Sequence, residues 1–206
     1  MSENLDNLLA QTMETLVDVQ EQIKFSLPSA SMLLAESFSN GGSLCLAGTQ
    51  EDAPVLQMIQ QQLLRAKREL RPALPAIVAP ALAPTNGGNA RQDLEASLSE
   101  LRTLSKANDS ILLMLNDSAN EAETIDKINQ FALHEDISIV TVVCSANLRQ
   151  LSELASHSSG VSKHVVVPWF VSSIARKPLA TLFILNCLSD MIEESLFGAV
   201  IDMLDP

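Results

Sequence analysis

The chain lacks several residue types that whole classes of protein require. It has no tyrosine, one tryptophan and three histidines among 206 residues, and aromatic residues make up only 3%. Only 13 lysines and arginines stand against 25 aspartates and glutamates, for a formal net charge of −12. Nucleic-acid binding needs clustered basic residues that displace the counterions of phosphates. Direct binding to nucleic acid is therefore not expected, and a basic protein partner suits this surface better.

Cysteines and long apolar runs are also scarce. Cys45, Cys144 and Cys187 are odd in number, far apart and set in apolar stretches, as expected of small core residues in a reducing compartment. No apolar run approaches the ~20 residues of a membrane span. The acidic residues 1–6 lack the layout of a secretion signal. The sequence therefore predicts a cytoplasmic protein without a membrane segment.

Short apolar runs alternate with amphipathic helical patterns along most of the chain. Runs that predict strands occur at 43–47, 74–79, 110–115, 137–143 and 164–167. Helical patterns cover about 4–26, 52–69, 91–106, 121–134, 147–155 and 172–203. Continuous apolar strands alternating with helices are typical of a parallel sheet that is covered on both faces. The predicted fold is an α/β three-layer αβα sandwich with a five-stranded, doubly wound parallel sheet.

The length of 206 residues suits one domain. We predict an N-terminal helix within 1–30, an αβα core over 40–168, and a C-terminal helix and tail over 170–206. The last helix is apolar over more than one stripe, through Leu179, Leu182, Phe183, Ile184, Leu185, Cys187, Leu188, Met191 and Ile192. Packing on its own sheet would leave part of that surface bare. A homo-oligomer with the two long terminal helices in its interface is expected; a central helix of a monomer is the alternative.

The candidate ligand site follows from the general layout of such folds. In open α/β sheets, ligands lie at the carboxyl ends of strands, often against a helix N-terminus. Residues 47–53 and 116–121 follow two of the predicted strands. Both segments are acidic, because Glu51 and Asp52 occupy the first and Asp117 and Glu121 the second. Carboxylates at these places repel a phosphorylated ligand by about 1–4 kcal/mol for each pair of unit charges 4 Å apart.

Three co-linear blocks of the sequence resemble the SIS (sugar isomerase) family, whose fold is flavodoxin-like. They comprise 44–77, 109–143, and the segments 175–176, 186–192 and 195–197. The likeness is to the phosphoheptose isomerase (GmhA-like) branch, and within it to the DnaA initiator-associating (DiaA-like) proteins. It implies a homotetramer that binds the initiator DnaA and regulates the initiation of chromosome replication. Leu196 and Phe197 stand where that group has its DnaA-binding apolar pair.

The positions that carry the family's chemistry differ in this chain. The resemblance places catalytic and metal-binding groups at four positions, which here hold Gln57, Gln61, Pro178 and Thr181. Glutamine cannot act as a proton-transfer group near neutral pH, and zinc needs imidazole, thiolate or carboxylate ligands. The phosphate-binding loops correspond to Gly48, Thr49, Glu51, Ser118 and Asn120, a remnant of a ligand site. No metal, no cofactor and no sugar phosphate are therefore expected.

Three hypotheses follow from these departures. The first is a protein-binding adaptor that is not an enzyme, with Leu196 and Phe197 in the contact. The second is a phosphoheptose isomerase acting on sedoheptulose 7-phosphate. The third is a sensor that binds a carbohydrate derivative without turnover, for which the acidic loops favour a neutral or cationic ligand. His134, His157 and His164 show no metal-binding spacing, so a relocated active site is not expected.

Overall fold

The computed structural model describes residues 2–65, 72–79, 90–106, 108–116, 121–146 and 163–201. The helices are α1 (Ser2–Ile23), α2 (Ser26–Ser39), α3 (Ala53–Leu64), α4 (Ala90–Leu104), α5 (Glu121–Glu135) and α6 (Lys177–Ile201). The strands are β1 (Leu44–Ala47), β2 (Ala76–Val78), β3 (Ser110–Asn116), β4 (Ser138–Cys144) and β5 (His164–Trp169). A turn of 3-10 helix, Ile174–Arg176, precedes α6. Among the described residues, no helix combines the length and the apolar character needed to cross a membrane.

The five strands form one parallel sheet in the order β2-β1-β3-β4-β5. The predicted α/β fold with a five-stranded parallel sheet is therefore confirmed. The chain moves from β1 outward to β2 and then returns to the other side of β1 with β3. This reversal places the topological switch point between the carboxyl ends of β1 and β3, where open α/β sheets open a crevice.

The two faces of the sheet are covered by different helices. Because strand side chains alternate between faces, Leu44 and Leu46 of β1 pack in one core with residues of α1, α2, α3 and α6. Cys45 and Ala47 pack in a second core with residues of α4 and α5. Both faces are thus buried, which explains why the strands are continuously apolar.

The N-terminal region contains one more helix than the pattern predicts. The sequence predicted a single helix over 4–26, whereas α1 ends at Ile23 and α2 follows from Ser26. Leu27, Ala30 and Leu34 of α2 are buried against the sheet. Pro28 lies in the first turn of α2, where its missing N–H is tolerated. The serine-rich composition of this segment conceals its helical spacing.

The other boundaries shift by a few residues. The helix predicted over 52–69 is described as far as Leu64, and the strand predicted over 74–79 is confined to Ala76–Val78. The last helix, predicted from 172, begins at Lys177 because the preceding turn is 3-10 helix. The helix predicted at 147–155 lies outside the described residues.

The last helix is covered largely by its own chain. α6 contacts α1, α2 and α3, and Ile184, Leu185 and Leu188 are at most 2% exposed. Its apolar surface on several sides is therefore explained by a central position. A group of exposed apolar side chains lies instead on the two N-terminal helices and on the segment joining them, through Leu8, Leu9, Met13, Val17, Phe25 and Met32.

Candidate functional sites

A closed loop follows β1 at the switch point. The Asp52 side chain is buried and turns back toward the loop, so its Oδ2 accepts hydrogen bonds from the Thr49 N–H at 2.9 Å and from the Thr49 hydroxyl at 2.7 Å. Gly48 lies directly against it, since a Cβ at Gly48 would be 3.0 Å from both Cβ and Oδ2 of Asp52. The Asp52 carboxylate thus holds the loop closed through hydrogen bonds within the chain.

The donors at the start of α3 are mostly engaged as well. The N–H of Asp52 donates to the Thr49 carbonyl at 3.0 Å, and those of Val55 and Leu56 donate to the Asp52 carbonyl. Pro54 has no N–H to offer. A helix N-terminus attracts anions through unpaired N–H groups, so this one offers few of them. Asp52 already supplies the loop with a negative charge.

The two acidic residues that follow β1 have different environments. The Glu51 side chain is exposed, whereas Asp52 is buried and bonds to Thr49. The signal was present as a threonine followed three residues later by an aspartate. Of the other loop candidates, Ser118 and Asn120 lie outside the described residues.

The four positions that the family uses for chemistry lie on two helices. Gln57 and Gln61 are exposed on α3, and Pro178 is exposed in the first turn of α6. Thr181 is buried, and its hydroxyl donates to the Lys177 carbonyl at 3.0 Å. Within the described residues, no hydrogen bond joins the two glutamines to Thr181.

The histidines have separate environments. His134 is exposed, with Nδ1 2.9 Å from the Glu135 carboxylate. His164 is buried at the start of β5, where its Nε2 lies 2.8 Å from the Thr141 hydroxyl. Burial lowers the pKa of His164 to about 4, so the ring is neutral at physiological pH. His157 lies outside the described residues, and the described ones contain no cluster of three groups that could hold a metal.

The three cysteines lie in or against the apolar cores of the protein. Cys45 and Cys144 are buried and Cys187 is half-buried. Burial, together with the nearby charge of Asp109, raises the pKa of Cys45 to about 11. Burial and Asp190 raise the pKa of Cys187 in the same direction. Since the thiolate is the reactive form, neither thiol is set up as a nucleophile.

A second candidate site lies at the opposite edge of the sheet. Leu196 and Phe197 are half-buried near the end of α6 and pack against the main core. They line an open cavity of about 280 Å³, here called the amino-edge groove, because it lies where the chain enters β1 and β2. The full lining is Phe38, Ser39, Gly41, Gly42, Pro72, Ala73, Leu74, Pro75, Leu196 and Phe197.

The fold is shared with solved sugar isomerases. A phosphoheptose isomerase from Francisella tularensis matches with a TM-score of 0.63 and 16% identity, over 93% of this chain and 97% of that one. Phosphoheptose isomerase GmhA from Neisseria gonorrhoeae matches with a TM-score of 0.64 and 16% identity, over 94% and 98%. The sugar isomerase domain of an RpiR transcription factor from Sphaerobacter thermophilus matches with a TM-score of 0.53 and 14% identity, over 97% and 96%. No protein-family profile and no curated protein sequence matches the chain.

These matches establish the αβα fold of SIS-domain, phosphoheptose isomerase-like proteins. They also correct one prediction. The expectation that the chain is not an enzyme is wrong, because over more than nine-tenths of both chains its fold is that of two phosphoheptose isomerases.

Proposed function

We propose that this chain is a SIS-domain protein that binds a second protein through the amino-edge groove, and that the partner is the replication initiator DnaA. The observation that carries the proposal is the position of Leu196 and Phe197. They lie partly exposed on the wall of an open apolar groove. Apolar and aromatic side chains beside a pocket are typical anchors of protein interfaces. The proposal concerns this surface and is independent of chemistry at the strand ends.

The choice of DnaA rests on the sequence. Three co-linear blocks resemble the DiaA-like proteins, and Leu196–Phe197 stands at the place of their DnaA-binding pair. The net charge of −12 favours a partner with a basic surface. Complementary charge raises the rate of encounter and orients the partners. The protein would then act in the cytoplasm, in the control of replication initiation.

A homo-oligomer, and by resemblance a tetramer, is part of the proposal. Its support comes from α1 and α2, where Leu9, Met13 and Val17 are each more than half exposed, with Phe25 and Met32 nearby in sequence. Residues 9, 13 and 17 are spaced by four, so they form one stripe on α1. Several copies of the groove on one oligomer would bind several initiator molecules and so strengthen modest contacts.

The test is binding of purified DnaA to immobilised protein. The double variant Leu196→Ala/Phe197→Ala is expected to lose at least tenfold in affinity while its oligomer size in gel filtration is unchanged. Leu179→Ala is the matched control, since Leu179 is also a partly exposed apolar residue of α6 but lies near its other end. Equal binding by the wild type and the double variant would refute the proposed contact.

The shared fold favours a second function, isomerisation of a phosphosugar such as sedoheptulose 7-phosphate. Its specific support is the match to two phosphoheptose isomerases over nearly the whole chain. Turnover by the wild type that Gln57→Ala removes would establish this function. Thermal stabilisation by the sugar phosphate without turnover would indicate a sensor instead.

A further inference from the structure

We infer that the amino-edge groove is a preformed socket for one large apolar side chain, carried on a partner segment with basic residues beside it. Phe38 and the Gly41–Gly42 turn are then part of the contact, together with Leu196 and Phe197. The inference rests on the proposed function for the identity of the partner. It extends the contact to two chain segments that are distant in sequence from the C-terminal helix.

Three segments form the walls of the socket. They are the end of α2 with its turn (38–42), the approach to β2 (72–75), and the end of α6 (196–197). Phe38, Leu196 and Phe197 are half-buried and pack against the main core, so they are held in place while part of each remains accessible. A site formed by three segments that pack on one core is present before a partner arrives.

Backbone hydrogen bonds fix the wall next to β2. The Leu74 N–H donates to the Leu63 carbonyl at 2.9 Å, and the Leu44 N–H donates to the Pro75 carbonyl at 2.9 Å. Leu74 is 4% exposed. The approach to β2 is thereby joined to both α3 and β1. Preformed walls reduce the ordering cost of binding.

The turn after α2 is fixed equally firmly. A Cβ at Gly42 would lie 1.9 Å from the Asn108 carbonyl oxygen, and the Ser37 hydroxyl donates to that same oxygen at 2.5 Å. Gly42 therefore has to be glycine. Gly41 differs: its φ is +77°, and no atom lies within 4 Å of where its Cβ would be. The space above Gly41 is open toward solvent beside the groove.

The chemistry of the lining favours an apolar side chain over a sugar. Ser39 carries the one polar side chain among the ten lining residues. A carbohydrate needs several hydrogen-bonding groups, and the cavity of about 280 Å³ is at the small end for a ligand pocket. One aromatic or branched aliphatic anchor would be buried well in such a space.

Acidic residues on α6 favour a partner that carries basic residues next to its apolar anchor. Glu193 and Glu194 precede Phe197 by four and three residues, so all three share one side of α6. Lysine or arginine next to the anchor would meet these carboxylates and gain from their charge.

The decisive variants are Gly41→Asn and Phe38→Ala. Asparagine tolerates a positive φ, so Gly41→Asn places a side chain at the rim with little strain. Each variant is expected to weaken DnaA binding at least fivefold. Gly41→Asn is expected to leave the melting temperature within about 2 °C of the wild type, which separates lost contact from lost folding. If Gly41→Asn and Phe38→Ala both bind DnaA like the wild type while Leu196→Ala/Phe197→Ala does not, the socket is refuted and the proposed function stands.

A peptide probe tests the socket independently of DnaA. The probe is Lys-Lys-Trp-Lys-Lys, and the controls replace its Trp with Ala or its Lys with Glu. The expected result is a shift of the Gly41 and Gly42 amide resonances with the Trp–Lys peptide, and a shift at least fivefold smaller with either control. Such shifts in a protein that does not bind DnaA would refute the partner and support the socket. No shift, or a change of oligomer size in Gly41→Asn showing that a second copy fills the groove, would refute the socket.

Discussion

The two edges of the sheet differ in the surface that their loops leave available to a ligand or partner. At the carboxyl edge, Asp52 is buried and accepts two hydrogen bonds from Thr49, so the polar groups of the loop are satisfied within the chain. At the amino edge, Phe38, Leu196 and Phe197 line an open groove and leave apolar surface unburied. A loop with internally paired donors gains little from an added anion, whereas exposed apolar surface gains from any partner that covers it. The amino edge is therefore the more favourable place for a macromolecular contact.

The largest expected effect is on stability: truncating a core residue of α6 should destabilise the protein more than truncating a groove residue of the same helix. Leu188→Ala removes a side chain that is 2% exposed and should lower the free energy of unfolding by about 2–5 kcal/mol. Leu196→Ala removes a side chain that is only partly buried and should cost about 1–2 kcal/mol. Urea unfolding can be followed by the fluorescence of Trp169, the single tryptophan, which is 0% exposed. Equal losses would show that the groove belongs to the core and would remove the contrast between the edges.

His164 is a buried polar residue at the amino end of β5. The pKa of His164 is about 6.5 in the unfolded chain and about 4 when folded. The unfolded state therefore binds the proton first, so stability is complete above pH 6.5 and falls as the pH drops from 6.5 to 4. The total loss should be about 3 kcal/mol.

The measurement is the free energy of unfolding from pH 7 to pH 4, for the wild type and His164→Gln. The variant should lack this part of the pH dependence, although its stability at pH 7 will be lower. If both proteins lose stability with the same slope, His164 is not the group responsible. The amino edge would then be open to water at β5 as well as at the groove.

Sequence patterns predicted the sheet well because its signal is local. β3 and β4 are continuous apolar runs, and parallel strands buried on both faces have that pattern. α2 was missed because its apolar residues are diluted by Ser26, Ser29, Ser31, Ser37 and Ser39. Whether this segment forms a helix is decided by its packing on β4, β5 and α6, which is a tertiary effect that composition does not show.

The sites were harder to predict than the fold. The Thr49–Asp52 pair was visible as a spacing, but whether an aspartate caps its own helix or turns back to the loop depends on a side-chain torsion. The groove depends on 38–42, 72–75 and 196–197 meeting in space. Only the third of these segments was marked in advance, and it was marked by resemblance.

A smaller effect is expected from opening the carboxyl edge. Asp52→Ala leaves the Thr49 N–H and hydroxyl without their acceptor and should destabilise the protein by about 1–3 kcal/mol. The vacated loop should also bind inorganic phosphate more tightly than the wild type does. Isothermal titration of phosphate into both proteins checks this gain. Unchanged phosphate affinity would show that Asp52 does not control anion binding at this edge.

The smallest effect is expected from Thr181→Val on α6. Valine has nearly the same shape, and the only group lost is a hydroxyl that donates to Lys177, one turn earlier in the same helix. The free energy of unfolding should change by less than about 1 kcal/mol. Thr141→Val is the matched control, since it deprives the buried His164 Nε2 of its 2.8 Å partner and should cost more. If Thr181→Val is instead the costlier change, Thr181 has a second hydrogen-bond partner. The polar contacts at the carboxyl edge would then extend beyond the Asp52 loop.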